Sequence, residues 1–487
     1  MRRAYAVDVV RAAEGAVMVG LPAGALMARA SAALATTCAR LLGQVYGARV
    51  VLLAGTGDNG GDALFAGARL SGRGAHVDAL LVGGRGHEAG TVALRASGGR
   101  VWGEPDQTPQ EWLDLVLAAD LVVDGVLGIG GRGALREPAA GLAAAASSTG
   151  RAWLVAVDLP SGVDADTGAV EGAAFDADVT VTFGTLKPGL LVDPGRSHAG
   201  IVELVDIGLD DALGGEPSLV ALEAADVADA WPFPGPADDK YSRGVLGVVA
   251  GSEPYPGAAV LCVGGALRAG AGMVRFVGDE TPAAAVHARW PEAVTGPGRV
   301  QAWVVGPGLG TDAGAAARVR EALQSDVPVL VDADGLTVLA QNLDWVRDRT
   351  ALTVLTPHAR EYERFGRPVG ADRVAATRDL AAELGACVLL KGSTTIVAAA
   401  GGSGPVVVNP TGTGWLATAG SGDVLSGVTG ALLAAGLGEV APAVGAYVHG
   451  VAARIAADGA PTTSLAVADA VPAAVRAVTG DRDRIGG

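Results

Sequence analysis

Glycines and polar side chains alternate in "GTGDNGGDA", residues 55–63, directly after the apolar run "VVLLA". Two adjacent glycines let the backbone approach a ligand, and Asn59 and Asp62 present oxygen atoms at the head of the helix predicted to follow. Such a loop is typical of a ligand-binding site. A helix with acidic residues in its first turn would have a similar sequence, so this stretch alone leaves both interpretations open.

The spacing Gly55-x-Gly57-x-x-Gly60 also matches the dinucleotide fingerprint of dehydrogenases. That fingerprint requires an acidic residue at the end of the second strand, about twenty residues on, to bind the ribose. Asp78 lies instead at the start of "HVDALLV". A Walker A loop is excluded because no Gly-Lys-Ser/Thr sequence follows. The dinucleotide fingerprint is therefore only half supported by this sequence.

Two further apolar runs end in an aspartate. "VVDGVLGIGGRG" contains Asp124 and a glycine-rich loop, and "VAVDLPSGVDADTG" contains Asp158 followed by Ser161. Parallel sheets bind ligands at the carboxyl ends of their strands, so these side chains and Asn59 are expected to project into one region. Their hard oxygen atoms suit a cation.

The strongest signal in the second half is "NPTGTGWLATAGSGDVLSG", from Asn409. Its glycine-rich loop leads into a helix with Asp423 in the first turn. Backbone N–H groups of Gly420, Ser421 and Gly422 would point at a transferring phosphate, and the helix dipole would favour its charge. Asp423 would take the proton from an attacking hydroxyl. Positioning and charge neutralisation are the main needs of phosphoryl transfer.

Two shorter stretches have more than one interpretation. "TPHAREYERF" places His358 and Glu361 three residues apart, as in an exposed helix start or in the Asn-x-x-Glu pair that helps magnesium in many ribokinase-like proteins. "VLLKGSTTIV" places Lys391 after a strand, either beside a nucleotide phosphate or on a solvated turn. The role of Glu361 stays open at this point.

The elements that would position these residues follow a regular rhythm. Short Val- and Leu-rich runs alternate with Ala-rich stretches of helical spacing, a pattern typical of buried parallel strands covered by helices. The sequence therefore predicts doubly wound α/β architecture. A Gly-, Pro- and acid-rich stretch interrupts the rhythm near the middle, and we place a domain boundary after Gly214. The predicted domains are residues 1–214 and 215–487.

Composition excludes several classes of protein. The formal charge of −16 argues against a nucleic-acid surface, which needs a concentrated basic face. Asp8, Arg11 and Glu14 interrupt the apolar region that a secretory signal would need, and no uncharged apolar run approaches the ~20 residues of a membrane span. The three dispersed cysteines are expected to be buried free thiols in a reducing compartment. We therefore expect a cytoplasmic protein.

The motifs of the first half together resemble the N-terminal domain of bifunctional NAD(P)H-hydrate repair enzymes. They are "AGTGDNGGDAL", "VVDGVLGIGGRG", "VAVDLPSGVDADTG" and "TFGTLKPGLL". The resemblance implies an NAD(P)H-hydrate epimerase on a Rossmann-like three-layer domain, with potassium near Asn59, Asp124 and Ser161. It also implies that Asp158 binds substrate and acts in catalysis.

The same resemblance assigns two loops to the substrate. Their residues are Asp58, Asn59, Gly60, Gly61, Asp62, Gly128, Ile129, Gly130, Gly131, Arg132, Gly133 and Ala134. Asp58 stands where the family usually has a second Asn, which adds a charge next to the ligand, and Ala63 stands where it often has Gly. Lys187, in "TFGTLKPGLL", would either assist at this site or be structural.

The second half resembles the ADP-dependent NAD(P)H-hydrate dehydratase domain, which has a ribokinase-like α/β fold. The resemblance rests on "KYSRGVLGVVAGSEPYPGAAVLCVGGALRAGAGMVRF", "VVGPGLG", "TPHAREYERF" and the loop from Asn409. It implies hydrate contacts at Ala258, Gly308, His358 and Asp423, with Asp423 catalytic. It also implies that ADP, with Mg²⁺, contacts residues of a second loop and one helix glycine. These are Lys391, Gly392, Ser393, Thr394, Thr395 and Gly422.

The expected function is therefore repair of hydrated NAD(P)H. The first domain would interconvert the R and S epimers of NADHX and NADPHX. The second would use a nucleotide, ADP by the resemblance, to restore the S epimer to NAD(P)H through phosphorylation and elimination. A homo-oligomer without nucleic-acid or membrane partners is expected. Two alternatives remain open, namely a ribokinase-like vitamin or sugar kinase and a non-catalytic ligand-binding N-terminal half.

Overall fold

In the computed structural model, which describes residues 1–103 and 109–480, the chain forms two compact units. The N-terminal unit is Arg3–Ser218, and the C-terminal unit begins at Leu219 and also includes Met1 and Arg2. The division between Ser218 and Leu219 lies shortly after the boundary that the sequence predicts at Gly214.

The N-terminal unit alternates strands and helices. Up to Ser218 the elements are β1 (Arg2–Ala4), α1 (Val7–Val19), α2 (Ala25–Leu42), β2 (Arg49–Ala54), α3 (Asp58–Ser71), β3 (His76–Leu81), α4 (Glu88–Ala96), β4 (Arg100–Trp102), α5 (Pro109–Ala118), β5 (Leu121–Gly125), α6 (Ala139–Thr149), β6 (Trp153–Val157), β7 (Val179–Phe183), α7 (Gly195–Ala199) and β8 (Ile201–Val205). Seven of these strands form a sheet in the order β4-β3-β2-β5-β6-β7-β8, with parallel neighbours.

Both faces of this sheet are covered by helices. Alternate residues of β2 point to opposite faces. On one face Leu52 packs in a core cluster with Leu70 of α3, and on the other Leu53 packs in a cluster with Val116 of α5. Burial on both faces explains why the strands are continuously apolar, and it confirms the predicted architecture of parallel strands between helical layers.

The C-terminal unit is a second α/β structure. Its elements are β9 (Leu219–Ala221), α8 (Ala224–Ala230), β10 (Val245–Val249), α9 (Pro256–Arg268), β11 (Met273–Phe276), α10 (Glu280–Arg289), β12 (Val294–Thr295), β13 (Ala302–Val305), α11 (Ala313–Leu323), β14 (Val329–Val331), α12 (Asp334–Ala340), α13 (Asp344–Arg347), β15 (Thr353–Leu355), α14 (Ala359–Tyr362), α15 (Arg373–Leu384), β16 (Cys387–Leu390), β17 (Thr395–Ala398), β18 (Val406–Asn409), α16 (Ser421–Ala434), α17 (Ala441–Ala457) and α18 (Ser464–Thr479).

From Leu219 onward the strands are ordered β9-β18-β17-β16-β15-β14-β13-β10-β11-β12. Their pairs are parallel except for β16–β17 and β17–β18. The segment Gly438–Ala457, which includes α17, is long and apolar enough to cross a membrane. However, 67% of it is buried inside the protein, as expected for a core helix. Cys38, Cys262 and Cys387 are free and buried, as the sequence predicts.

Helices α9 and α16 pack closely because small residues face each other. A Cβ atom on Gly427 would lie 2.0 Å from the carbonyl oxygen of Cys262, and one on Gly265 would lie 2.4 Å from that of Val424. No side chain fits at either position without moving a helix. This contact holds the helix whose first turn carries Asp423.

We therefore expect Gly427→Ala to destabilise the protein by about 1–3 kcal/mol, because the added methyl group forces the two helices apart. Gly257→Ala, in the first turn of α9, is the matched control, since nothing lies within 4 Å of its Cβ position. The control should be neutral or stabilising by up to about 1 kcal/mol. Urea unfolding of both variants checks this, and equal transition midpoints would contradict it.

Candidate active sites

The first candidate site lies at the carboxyl edge of the N-terminal sheet. Strand β2 has β3 on one side and β5 on the other, which makes the crevice above it a topological switch point. The turn after β2 is tight because α3 packs directly against it. A Cβ atom on Gly60 would lie 2.1 Å from the carbonyl oxygen of Gly55, and one on Gly55 would lie 2.0 Å from that of Val126. These two fingerprint glycines are therefore required by packing.

A cavity of about 1090 Å³ opens above this edge. That size is at the upper end of small-molecule sites, which measure about 300–1,000 Å³. The predicted residues that line it are Asp58, Asn59, Asp62, Gly128, Ile129, Gly130, Gly131 and Asp158. Gly60 and Gly61 instead pack inside the unit, and Arg132, Gly133 and Ala134 lie outside the lining. The structure thus brings three strand-end segments together around one space.

Asp158 is held by a buried lysine. Its Oδ1 accepts hydrogen bonds from Lys187 Nζ at 2.5 Å, Thr182 Oγ1 at 3.0 Å and Phe183 N at 3.2 Å. The side chain of Lys187 is only 1% exposed, so this ion pair is almost fully removed from water. Asp158 also has a φ of +66°, a backbone conformation that is uncommon for residues other than glycine. The strained, ion-paired aspartate is a strong candidate for a functional residue.

Below the cavity, oxygen atoms converge around Asp124. This aspartate is completely buried and accepts hydrogen bonds from the backbone and hydroxyl of Ser161, at 2.8 and 2.7 Å. Burial raises the pKa of Asp124 to about 6, against these hydrogen bonds. The Asn59 amide nitrogen donates to the carbonyls of Leu127 and Val157, at 3.2 and 2.6 Å. Asn59 Nδ2 and Ser161 Oγ lie within hydrogen-bond distance of the same carbonyl oxygen, that of Leu127, so the three predicted residues lie close together.

Asp62 differs from Asp158 in its surroundings. It is 6% exposed, and its Oδ1 has no hydrogen-bond partner among the described residues. Burial, reinforced by the negative charges of Asp158, Asp58 and Glu14, raises the pKa of Asp62 to about 8. Asp62 is therefore mostly protonated at neutral pH.

Asp78, the residue that a dinucleotide-binding fingerprint would need for the ribose, has a structural role. It is buried, and its Oδ1 accepts a hydrogen bond from Trp102 Nε1 at 2.8 Å. The same oxygen lies 2.8 Å from Arg100 Nε, with which Asp78 forms an ion pair. Both partners lie on the neighbouring strand β4. Asp78 is therefore engaged within the sheet, and its geometry gives no support to the ribose contact that a dehydrogenase would need.

The second candidate site forms around Lys391, which follows β16. Its Nζ lies 2.7 Å from Asp332 Oδ1 and 3.5 Å from Glu361 Oε2. Asp332, which follows β14, also accepts a hydrogen bond at 2.7 Å from Ser426 of α16. Burial would lower the pKa of Lys391, but the charges of Asp332 and Glu361 outweigh it and raise that pKa. The lysine is therefore a fixed cation among carboxylates.

Asp423 lies in the first turn of α16, next to this cation. Burial, together with the negative charge of Asp332, raises the pKa of Asp423 to about 7, while Lys391 opposes the rise. A Cβ atom on Gly422 would lie 3.3 Å from Lys391 Nζ, which places the lysine beside the amide end of the helix. A carboxylate poised near neutral pH suits a general base.

Of the remaining predicted residues, Ala258 lies in the first turn of α9 and Gly308 in the turn after β13. Ala258 and Gly308 are adjacent, because a Cβ atom on Gly308 would lie 2.7 Å from that of Ala258. His358 caps α14 and is half-exposed, whereas Glu361, its capping partner, is buried. Of the pair His358 and Glu361, only His358 therefore fits the prediction of an exposed helix start.

The 391–395 loop, which also contains Gly392, Ser393, Thr394 and Thr395, runs beside the glycine-rich loop that follows β18. A Cβ atom on Gly412 would lie 3.2 Å from the carbonyl oxygen of Ser393. Gly392 and Ser393 are exposed, Thr394 is buried and Thr395 begins β17. Among the residues described, no group of three or more His, Cys, Asp or Glu side chains is arranged to hold a metal ion.

Sequence reasoning missed Asp332 and Glu14 and left the roles of Lys187 and Glu361 open. Asp332 directly follows the apolar run "VPVLV", just as Asp124 follows an apolar run in the first half. The same reasoning from strand ends could therefore have identified Asp332 as a site residue. The burial of Lys187 and Glu361 has no comparable signal, because a charged residue in a turn is normally solvated. Glu14 lies on a helix far from the motifs in sequence.

Two family models match separate parts of the chain. Residues 23–189 match a family model described as YjeF-related protein N-terminus, and residues 246–472 match one described as NAD(P)H-hydrate dehydratase. The chain is 54% identical over 456 residues to the bifunctional NAD(P)H-hydrate repair enzyme of Mycobacterium tuberculosis (strain CDC 1551 / Oshkosh), covering 91% of each protein. It is 51% identical over 470 residues to that of Mycobacterium leprae (strain TN), covering 94% of each.

The chain is also similar to a solved structure of the ADP/ATP-dependent NAD(P)H-hydrate dehydratase from Bacillus subtilis, co-crystallised with ATP/Mg²⁺. The identity is 26% and the TM-score 0.48, over 52% of this chain and 97% of that chain.

Proposed function

This chain belongs to the family of bifunctional NAD(P)H-hydrate repair enzymes, and we propose that residues 1–214 carry the epimerase site and residues 215–487 the dehydratase site. The observation that carries this assignment is that each unit has its own aspartate beside a lysine. Asp158 faces the N-terminal cavity beside Lys187, and Asp423 lies at the amide end of α16 beside Lys391. Each aspartate can therefore serve a separate step of the repair.

In the C-terminal unit, we propose that Asp423 takes the proton from the C6 hydroxyl of the S hydrate. That hydroxyl attacks the terminal phosphorus of the nucleotide, ADP in our proposal, next to the N–H groups of Gly420, Ser421 and Gly422. The helix dipole favours the charge that develops there. Loss of the phosphate from C6, with a proton from C5, restores the dihydropyridine ring of NAD(P)H.

Mg²⁺ is proposed to enter this site with the nucleotide. Magnesium is usually held by one or two carboxylates together with substrate phosphates, so a site without a protein-only cage is compatible with it. Bound Mg²⁺ would neutralise charge on the phosphates. Lys391 already supplies a positive charge between Asp332 and Glu361, where it can act with the helix end on the same phosphates.

The dehydratase rate should rise with pH through about 7 and then level off, because Asp423 must be ionised to act as a base. Lys391 stabilises that ionised form, so Lys391→Met should move the midpoint to higher pH, whereas Lys391→Arg keeps the charge and should move it less. Measurement of kcat/KM against pH for the three proteins checks this. A midpoint that does not move in Lys391→Met would contradict the assigned electrostatics.

In the N-terminal unit, we propose that Asn59, Asp124 and Ser161 hold potassium. What supports this is the buried carboxyl of Asp124, which is surrounded by oxygen donors and neutral hydrogen-bond donors. Bound K⁺ would offset the charge of Asp124 and fix the loops that line the cavity. The chain's own residues then bind the nucleotide across the cavity and exchange protons with it through Asp158.

Exchange of K⁺ for Li⁺ should lower both the epimerisation rate and the melting temperature, because the smaller cation fits these oxygen donors poorly. Ser161→Ala should need a higher K⁺ concentration for half-maximal stabilisation, since one donor is lost. Melting curves and epimer ratios over a K⁺ titration measure this. Identical curves in K⁺ and Li⁺ would rule out the potassium assignment.

The alternative function, a ribokinase-like vitamin or sugar kinase, predicts a different product. Repair releases inorganic phosphate together with NAD(P)H, whereas a kinase accumulates a stable phosphate ester. Incubation of the S hydrate with ADP or with ATP, followed by phosphorus NMR, separates the two. Accumulation of an ester without reduced nicotinamide, or no turnover of the S hydrate with either nucleotide, would refute the proposed dehydratase.

A further inference from the structure

Two aspartates face the N-terminal cavity in opposite electrostatic surroundings. Asp158 forms an ion pair with buried Lys187, whose Nζ lies 2.5 Å from Asp158 Oδ1. Asp62 has no hydrogen-bond partner at Oδ1 in the described part of the chain, and it lies near other acids. Pairs of titratable groups whose surroundings drive them to opposite protonation states are typical of acid–base catalysis.

The fold places these two groups on different sides of one space. Asp62 lies in the second turn of α3, which follows β2, and Asp158 follows β6. Strand β5 separates β2 from β6, so the two strands are roughly 10 Å apart, or twice the usual spacing. Both carboxyl groups line the cavity.

We propose that Asp62 is the general acid and Asp158 the general base of epimerisation. This inference rests on the proposed epimerase function of the N-terminal unit and assigns the proton transfers within it. The R and S hydrates differ only at C6, which carries a hydroxyl group and is bonded to the ring nitrogen N1. Such a carbon inverts if the C6–N1 bond opens and closes again.

The step balances without a further reactant. Asp158 takes the hydroxyl proton, the O–H electron pair forms the C6=O bond, and the C6–N1 pair moves to N1, which takes a proton from Asp62. Rotation about C5–C6 presents the other face of the carbonyl. N1 then re-forms its bond to C6 and returns its proton to Asp62, while the carbonyl oxygen takes the proton back from Asp158. Nothing is oxidised or reduced.

The groups around Asp62 keep it protonated. Burial is the main cause that raises the pKa of Asp62 to about 8, and three nearby acids add to it. They are Asp158 after β6, Asp58 on the same helix and Glu14 on α1. The charged and titratable residues of the cavity lining are Arg11, Glu14, Asp58, Arg69, His87 and Asp158. Of these, Arg11 and Arg69 are exposed, so solvent screens their charge. Lys187 is already paired with Asp158.

The test follows the conversion of pure R hydrate to S hydrate without nucleotide, so that the dehydratase is idle. Asp62→Asn should lower the epimerisation kcat by about 10²–10⁴-fold, the usual contribution of a general acid. Asp62→Glu keeps an acid and should recover part of the rate. Melting curves of the same preparations show whether the N-terminal unit of each variant is folded, and their dehydration of S hydrate confirms equal amounts of active C-terminal unit.

The wild-type pH profile gives a second measurement that needs no variant. Epimerisation should slow as pH rises past about 8, where Asp62 loses its proton, and Asp62→Asn should lack this alkaline decline. A wild-type rate that stays flat up to about pH 10, or an Asp62→Asn rate within about threefold of wild type, would overturn the inference. Failure of the wild-type protein to epimerise at all would instead refute the proposed function of this unit.

Discussion

Asp423→Asn is expected to remove nucleotide-dependent dehydration of the S hydrate while epimerisation continues at the wild-type rate. The amide has nearly the same size as the carboxylate but cannot accept the hydroxyl proton. We expect kcat to fall by about 10²–10⁴-fold, the usual range for loss of a general base. Release of NAD(P)H, followed by its absorbance, measures the dehydratase.

The substitution should leave the surrounding structure intact. Lys391 keeps its contacts with Asp332 and Glu361, at 2.7 and 3.5 Å, so no buried cation is left without a partner. Conversion of R to S hydrate by the same preparation is the internal control. Equal loss of both activities in a folded protein would contradict the assignment of Asp423 to one site.

The second large effect is expected at Asp158. Asp158→Asn should slow conversion of the R hydrate by about 10²–10⁴-fold and leave dehydration of pure S hydrate unchanged, because we propose that its carboxylate accepts the hydroxyl proton in the N-terminal cavity. Asn is preferable to Ala here, since Asn tolerates the φ of +66° better than other non-glycine residues. Epimer ratios by NMR, followed over time without nucleotide, measure the rate.

This variant also leaves Lys187 buried without a carboxylate partner. Breaking such a pair from one side typically costs about 3–5 kcal/mol, so stability must be measured together with activity. The double variant Asp158→Asn, Lys187→Met removes both charges and should recover much of the stability without recovering epimerisation. Recovery of epimerisation in the double variant would show that Asp158 has only a structural role.

Much of the fold and of the candidate sites follows from strand ends. Buried parallel strands have continuous apolar sequences, and their carboxyl ends share one edge, so Asn59, Asp124 and Asp158 could be placed together from the sequence. The family assignment is confirmed by the matched models and relatives. The individual ligand roles of these residues stay predictions.

Other features depend on three-dimensional packing that the sequence does not encode locally. The glycines of "GTGDNGG" indicate that the backbone approaches something closely, but not whether this is a ligand or another part of the protein. In the structure, Gly55 and Gly60 pack against carbonyl oxygens of the protein itself. The position of Lys391 after a strand leaves a phosphate contact or a solvated turn open, and only the family resemblance predicts a contact with ADP. The ion pair of Lys391 with Asp332 joins residues 59 positions apart and could not be inferred from spacing.

The central claim is that two complementary sites on one chain repair both epimers of the hydrate. The most direct measurement supplies an R and S mixture with ADP or with ATP and follows reduced nicotinamide absorbance to its end. We predict complete conversion of both epimers with at least one nucleotide, since the epimerase replenishes the S form. Conversion that stops when the initial S epimer is exhausted, or that proceeds equally without nucleotide, would contradict this account.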